Sequence, residues 1–449
     1  MLWALFITAI IPVIFFSTFR PWTWGIMDEP GMVIAARQLH APLPIKEKLQ
    51  ILFPPEGVSS GMFKPLWYVY VRGRLALIES ASAQHAIQMF LLLLVLLAWW
   101  RLSCLFHIEK TLIPLALLLT LYFGPLTVAG IGFLSIQELP GIVLISWALY
   151  FSKRSQINHQ NLFLFFAVLC VIAACLIKET FFCLIPAVLF CLSLQPSSKT
   201  QKITMIVLAL LFIGFPIFLW THVRTGYSAG YRLEIGSLIS HTVLSLKNLA
   251  WTYKFATPLL LSGLLIKTIK KEFNSLEIMC LIGAGLYFGI LIPWTAQIGY
   301  YQGPLGPFLG FLTAQCAHTF LEWPTILIRN IAKTVILLLA MLMVGSIAKQ
   351  AHKTWAFNKG LLETQTYLIN HLKNEVVYVN GEEAATTIPQ GMQLLSNKRF
   401  NTFQYTTDMT TIHPPAYAVL YENSLTFPPK KEALMVSSSN NWIIFNISN

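Results

Sequence analysis

The sequence predicts an all-α polytopic membrane protein, with about eleven transmembrane helices of ordinary span length, that ends in a small α/β domain. Three observations predict it. Of 449 residues, 56% are hydrophobic and only 11% are charged, and the mean hydropathy is +0.64. The apolar residues fall in blocks separated by short polar or basic breaks. The last stretch of the chain, residues 349–449, abandons that pattern. A soluble domain carries about 25% charged residues. This chain has too little polar surface to cover a globule in water.

The candidate spans are 2–19, 84–101, 111–129, 135–151, 161–177, 180–194, 203–220, 248–266, 277–294, 304–320 and 333–348. A net charge of +12 raises the question of nucleic acid. The position of the cations excludes it. One alternating set of short loops holds Arg101, Lys110, Lys153, Arg154, Lys199, Lys202, Lys267, Lys270, Lys271, Arg329 and Lys333. The short loops of the opposite set, 130–134, 178–179 and 295–303, hold only Lys178. The positive-inside rule places the first set in the cytoplasm. The N-terminus is then cytoplasmic, and residues 20–83, 221–247 and 349–449 lie outside. Residues 1–19 lack a basic leader and a small-x-small cleavage site, so they read as an uncleaved first span.

Residues 161–194 decide this topology. The run is apolar except for Lys178 and Glu179. As one helix it would be about 50 Å long at 1.5 Å per residue, against a hydrocarbon core of about 30 Å. It would also move Lys267, Lys270 and Lys271 outside. A tight hairpin with Lys178 and Glu179 at the outer surface satisfies both constraints.

The first outer loop, 20–83, contains two amphipathic stretches suited to the membrane interface. One runs from Pro30 to Leu39. The other includes Trp67, Tyr68, Tyr70, Leu75, Leu77 and Ile78, with Arg72 and Arg74 among them. In the tail, an amphipathic helix over about 358–373 precedes strands at Glu375–Val379, Ala416–Tyr421 and Trp442–Phe445. The chain shows no internal repeat. Its seven cysteines, Cys104, Cys170, Cys175, Cys183, Cys191, Cys280 and Cys316, lie in or beside apolar blocks with no ligand spacing, and read as small buried hydrophobes.

Several polar residues have both a bland and a chemical reading. Asp28 and Glu29 follow the first span. They are either a solvated pair capping the helix that begins at Pro30, or a shielded carboxylate fit to deprotonate a hydroxyl. Lys64, in Phe63-Lys64-Pro65-Leu66, is either a snorkelling lysine or a phosphate ligand. Lys178-Glu179-Thr180 is a charged pair between two apolar runs, expensive unless partnered. It either pairs with itself in a turn or meets a substrate. Glu138, beside Gln137 at the outer end of the fourth span, is a weaker case of the same kind. Arg224, Tyr227, Tyr231, Arg232 and His241 in the second outer loop suit lipid headgroups, a phosphate or a sugar. Tyr300, Tyr301 and Gln302 suit an aromatic belt. No phosphate-binding loop, dinucleotide fingerprint, zinc pattern or serine-hydrolase elbow occurs. No cofactor is therefore required, and no cluster of histidines and carboxylates supports a divalent metal.

Together these features resemble the GT-C glycosyltransferases, among them protein O-mannosyltransferases and lipid A aminoarabinose transferases. The likeness rests on an acidic pair after the first span, a long first outer loop, Lys64-Pro65-Leu66 before the second span, and Lys178-Glu179 between middle spans. The segment Tyr300-Tyr301-Gln302-Gly303-Pro304-Leu305-Gly306-Pro307-Phe308 is similar to the family's Arg-Tyr-x-x-Pro-x-x-Pro-Phe stretch, with Gly299 where the arginine often stands. The resemblance covers roughly 1–350, so it divides the chain into a GT-C-like transmembrane domain, 1–348, and a soluble extracytoplasmic α/β domain, 349–449. It implies a sugar donor on a polyprenyl phosphate and a lipid, glycan or protein acceptor. It implies Asp28 as the base, with Glu29 supporting it or binding acceptor. Lys64 would lie near the donor phosphate, with Lys178, Arg224 and Arg232 as further cations. Glu138, Glu179, Tyr231, Tyr300 and Tyr301 remain substrate-binding candidates. A bacterial inner membrane is the expected location. The competing classes are a transporter or lipid flippase, an O-antigen ligase or polymerase, and a membrane scaffold. The inverted symmetry of transporters is missing.

The topology yields a first prediction. A cysteine placed within 267–272 should resist a membrane-impermeant thiol reagent added to intact cells. Ready labelling would overturn this assignment of sides.

Overall fold

The structure is a computed structural model. It describes residues 1–24, 29–54, 64–132, 137–158, 160–194, 198–222, 238–292, 299–372, 375–380, 382–396, 398, 400, 403–406, 416–421, 433–439 and 442–447. The chain opens with α1 (Leu2–Thr18), then α2 (Glu29–Arg37), α3 (Ile45–Leu52) and α4 (Pro65–Leu77). The bundle continues with α5 (Ala81–Leu105), α6 (Leu112–Tyr122), α7 (Gly124–Ile131), α8 (Glu138–Asn158) and α9 (Asn161–Ile177). A 3-10 turn, Glu179–Leu184, leads into α10 (Ile185–Ser193) and α11 (Lys199–His222). Then come α12 (Leu238–Thr252), α13 (Thr257–Lys270), α14 (Ser275–Leu291), α15 (Leu305–Leu321) and α16 (Ile326–His371). The C-terminal part contains β1 (Val376–Val379), α17 (Glu382–Ser396), β2 (Phe403–Tyr405), β3 (Ala416–Tyr421), β4 (Ala433–Ser439) and β5 (Trp442–Ile447).

Among the described residues, three helices are long and apolar enough to cross a membrane, or five if each bent pair is one span; α1, α9, α14 and the segment Glu179–Ser193 are shorter apolar helices. The protein is thus an integral, multi-pass membrane protein with three to five spans clear by length and composition.

The bends have local causes. The segment expected as one helix at 111–129 turns by 71° between α6 and α7. Pro125 there has no N–H to donate and restricts the residue before it. Thr127 Oγ1 caps the freed carbonyl of Leu121 at 2.6 Å. The segment expected as one helix at 248–266 instead divides into α12 and α13, which meet at 110°. Pro258 sits in the first turn of α13, and Thr257 Oγ1 bonds the Tyr253 carbonyl at 2.9 Å.

The hairpin within 161–194 is present. Lys178 leaves α9 with extended backbone, φ −154° and ψ 126°. Its side chain reaches Glu138 at the start of α8. Thirteen or so residues on, Gln156 near the end of α8 donates to the carbonyls of Cys191 and Leu192 at 2.7 and 2.8 Å. The chain therefore reverses between Lys178 and Leu192 and travels the length of α8 twice.

Polar contacts sort into two ends of the bundle. At one end lie Lys178, Glu138 and Tyr301. At the other, Lys267 pairs with the buried Glu277 at 2.8 Å and Asn274 donates to Gln315 at 3.1 Å. Asn274 also caps α14 reciprocally with Glu277, which gives the α13–α14 turn a fixed geometry.

The last span and the tail helix, expected as separate elements, are one helix. α16 has 46 residues, about 69 Å at 1.5 Å per residue. Hydropathy ends a span but not a helix: residues 349–354 are mostly polar, and 349–357 contain neither glycine nor proline. The C-terminal part of α16 covers a five-stranded sheet of order β2-β1-β3-β5-β4. β1 runs parallel to β2 and β3, and β5 runs antiparallel to β3 and β4. Val377, Val379, Val419, Trp442 and Ile444 pack against Leu361 and Leu368 of α16 and Ile388 and Met392 of α17. The three predicted strands are present. α3, α17, β2 and β4 were not anticipated.

Candidate functional site

The site begins with two helix ends. α8 and α9 are antiparallel, so the N-terminus of α8 lies beside the C-terminus of α9. Glu138 occupies the first and Lys178 caps the second. A helix N-terminus favours an anion and a C-terminus a cation, so each charge sits at the dipole end that suits it. Lys178 Nζ hydrogen-bonds Glu138 Oε1. The residues are 5% and 1% exposed, which makes the pair obligatory. Breaking a buried ion pair by removing one partner costs about 3–5 kcal/mol. On its other side the ammonium lies 3.9 Å from the centroid of the Tyr301 ring, a cation–π contact.

Glu179 is also buried, and its Oε2 has no hydrogen-bond partner among the described residues. Lys178, Lys64 and Glu138 all lie within electrostatic reach of it. Lys64 is buried and precedes α4, where Pro65 takes the first helical position. Apolar packing brings it here: Trp67, Tyr68 and Val71 of α4 share a buried cluster with Ile177, the last residue of α9. Along one face of α4, Tyr68 sits between two cations. Lys64 Nζ is 5.5 Å and Arg72 Cζ 4.8 Å from its ring centroid. Farther along, Arg74 Nη1 donates to Tyr70 Oη at 2.8 Å. Burial pushes the Tyr70 phenol above its ordinary range, and the Arg74 charge partly offsets that rise.

A glycine sets the spacing of the cluster. A Cβ on Gly141 would lie 2.0 Å from the Phe181 ring. Phe181 is fully buried, with Tyr287 behind it at a centroid distance of 5.9 Å. Gly141 lies one turn after Glu138, and Phe181 three residues after Lys178. The contact therefore holds the two charged residues in register.

The structure thus unites Lys64, Lys178, Glu138, Glu179 and Tyr301, which the sequence presents as separate candidates. Lys178 and Glu179 do not pair with each other; Lys178 takes Glu138. Asp28, Arg224, Tyr227, Tyr231 and Arg232 lie outside the described residues. Glu29 opens α2 and Tyr300 lies in the 3-10 turn Gly299–Gln302. His241 lies in α12.

The sequence reading missed a second polar group at the same end. His85, fully buried, stacks on Trp22 with centroids 3.8 Å apart, and its Nδ1 is 2.7 Å from the Ile131 carbonyl. Gln84, His85 and Gln88 are all buried in the first turns of α5. Three polar residues opening an apolar span were the available signal. Among the described residues, no three His, Cys, Asp or Glu side chains converge as a metal site. A cavity of about 660 Å³ lies at the opposite end of the bundle, lined by Glu109, Asn274, Gln315 and His318 among others.

A bent-helix bundle with a buried cluster of two lysines and two carboxylates at one end, first-loop helices packed on that end, and a last helix leading into a sheet defines a class of membrane protein. No family model matches the sequence, and no curated protein matches it. Solved structures do match. The chain superposes on ArnT from Cupriavidus metallidurans in the apo state with a TM-score of 0.53 at 12% identity, covering 98% of this chain and 97% of that one. The same enzyme bound to undecaprenyl phosphate gives a TM-score of 0.50. Oligosaccharyltransferase AglB from Archaeoglobus fulgidus, in complex with an inhibitory peptide and a dolichol-phosphate, gives 0.51 at 11% identity over 94% of this chain and 69% of that one. This chain shares the fold of these proteins.

Gly141→Ala should destabilise the detergent-solubilised protein by about 1–3 kcal/mol, as overpacking does. Adding Phe181→Leu should recover part of the loss. A double variant no more stable than Gly141→Ala alone, by thermal denaturation, would remove this contact as the cause.

Proposed function

We propose that this protein is a membrane glycosyltransferase that moves a sugar from a polyprenyl-phosphate-linked donor to an acceptor hydroxyl outside the cytoplasm. The observation that carries this reading is the buried cluster of Lys64, Lys178, Glu138 and Glu179 at one end of a GT-C bundle. The two neighbours bound to undecaprenyl phosphate and dolichol-phosphate support a lipid-phosphate donor.

The proposed chemistry is a single displacement. Asp28 takes the proton of the acceptor hydroxyl as its oxygen attacks the anomeric carbon. The bond from that carbon to the phosphate oxygen breaks on the opposite face, which inverts the anomeric centre and releases polyprenyl phosphate. Negative charge grows on the leaving phosphate. Lys64 and Lys178 are fixed cations that stabilise it, with Arg224 and Arg232 as further candidates. Fixed charges are most effective in a water-poor site, which the burial of both lysines supports. Lys178 would then share its charge between Glu138 and the phosphate. Glu29 supports the base or binds acceptor. Glu138, Glu179, Tyr231, Tyr300 and Tyr301 contact the sugars, and the open Oε2 of Glu179 is placed to accept a sugar hydroxyl. The reaction consumes no cofactor. The charged end faces outward across a bacterial inner membrane, with the N-terminus in the cytoplasm and the domain 349–449 outside.

Mass spectrometry of cell-envelope glycans from cells carrying wild type or Asp28→Asn, at matched expression, tests this reading. The variant should lose a mass equal to one sugar residue on one acceptor, which would also identify sugar and acceptor. Identical profiles would overturn it. Lys64→Ala should weaken undecaprenyl phosphate binding to the purified protein on the order of tenfold, the size of a charged hydrogen bond. Unchanged affinity would remove Lys64 from the phosphate site.

A further inference from the structure

Three consecutive residues just before the acidic pair are each anchored to a different part of the fold. The Trp22 N–H donates to Ser82 Oγ at 3.2 Å, and its indole stacks on His85, both at the start of α5. The Thr23 N–H donates to Asn358 Oδ1 at 2.9 Å, and Asn358 Nδ2 donates back to the Thr23 carbonyl at 3.1 Å. Thr23 Oγ1 donates to Gln365 Oε1 at 3.1 Å. Trp24 is buried with Met32, Val33 and Ala36 of α2 and Leu394 of α17. Asn358 and Gln365 belong to the outer part of α16, beyond the apolar stretch. Thr23, Asn358 and Gln365 are 2%, 4% and 0% exposed.

This density of contact is unusual for a chain leaving a span. A backbone segment in such a position is ordinarily satisfied by water. Here an asparagine carboxamide accepts from the N–H and donates to the C=O of one residue, as a neighbouring antiparallel strand would. Gly391 of α17 makes the arrangement possible, because a Cβ there would lie 2.2 Å from Gln365 Nε2. The same α17 closes over α2, the helix that Glu29 opens. The described residues that precede Asp28 in the sequence, Thr23 and Trp24, are therefore held by α16 and α17, and the helix that follows it packs under α17.

We infer that Asn358 is a positioning residue, which fixes the backbone at Thr23 so that the chain carrying Asp28 is held in place by the extracytoplasmic part of α16. The inference rests on the proposed glycosyltransferase reading for Asp28, but the clamp itself does not. The C-terminal unit is on this account part of the catalytic frame. It also predicts a separation of effects: loosening the clamp should harm transfer without harming phosphate binding, since Lys64 and Lys178 are held by α4, α8 and α9.

The test uses Asn358→Leu in the full-length protein, with three readouts. Hydrogen–deuterium exchange in detergent should speed up in the peptide containing Trp22, Thr23 and Trp24 and stay unchanged in α6 and α15. Affinity for undecaprenyl phosphate should stay within about twofold, because no phosphate ligand moves. The glycan product in cells should fall on the order of tenfold to a hundredfold, the cost of misplacing a reacting group. Gln365→Met, which removes only the Thr23 hydroxyl's partner, should show a weaker version of the same pattern and serves if Asn358→Leu does not fold. Unchanged exchange at Thr23 overturns the clamp. Faster exchange with product within twofold of wild type overturns the positioning role, as does an equal loss of phosphate affinity and product. If wild type itself yields no glycan product, the glycosyltransferase reading fails, and the exchange readout still decides the clamp.

Discussion

The ion pair between Lys178 and Glu138 is the constraint on which the charged end of the bundle depends. A lysine at the end of an apolar helix has to find an anion or remain at a costly position. Glu138 meets that need at a backbone site that also stabilises a carboxylate, a helix N-terminus. The pairing turns the chain back at Lys178 and sets α9 against α8 with their ends level. Gly141 and Phe181 transmit the same register one turn deeper. Tyr301, from a distant part of the sequence, closes over the ammonium. One electrostatic requirement thus aligns three separate segments at one depth.

The two lysines of the cluster reach it by different physics. Lys178 is placed by charge and by helix termination. Lys64 is placed by apolar packing, because α4 buries Trp67, Tyr68 and Val71 against the end of α9. Its charge is a passenger on a hydrophobic contact. The described cluster holds two cations and two carboxylates, so its charges balance while all four groups are buried. A balanced cluster can stay dry, and a dry site is where fixed charges act most strongly on a developing anion.

The C-terminal α/β part of the chain is joined to this end through a continuous helix. α16 carries apolar residues through the bundle and then, without a break, a polar face that meets the exit of α1. Beyond that it becomes one layer of the α/β unit, packed on the sheet through Leu361 and Leu368. A rigid helix is a direct way to couple the α/β unit to the charged cluster, since no linker absorbs the motion between them.

Much was legible in the sequence because it depends on composition and short-range pattern. Apolar blocks and their polar borders determined the membrane class and the hairpin at Lys178, since burying charge in lipid is expensive wherever the chain goes. Short runs of apolar, β-branched and aromatic residues determined β1, β3 and β5. The helical spacing in the first loop determined α2 and α4. Other features required tertiary structure. Hydropathy could not tell that α16 continues past its span, because polar residues with good helix propensity end a span and leave the helix intact. It could not tell that Lys178 prefers Glu138 to its own neighbour Glu179, because that choice depends on where two antiparallel helix ends meet. Nor could it show that Asn358 holds Thr23, a contact between residues 335 positions apart. Residue types and their local periodicity determined which elements form; the partners of each buried polar group were decided only by packing, because hydrogen bonds and ion pairs act over a few ångströms in space whatever their distance along the chain.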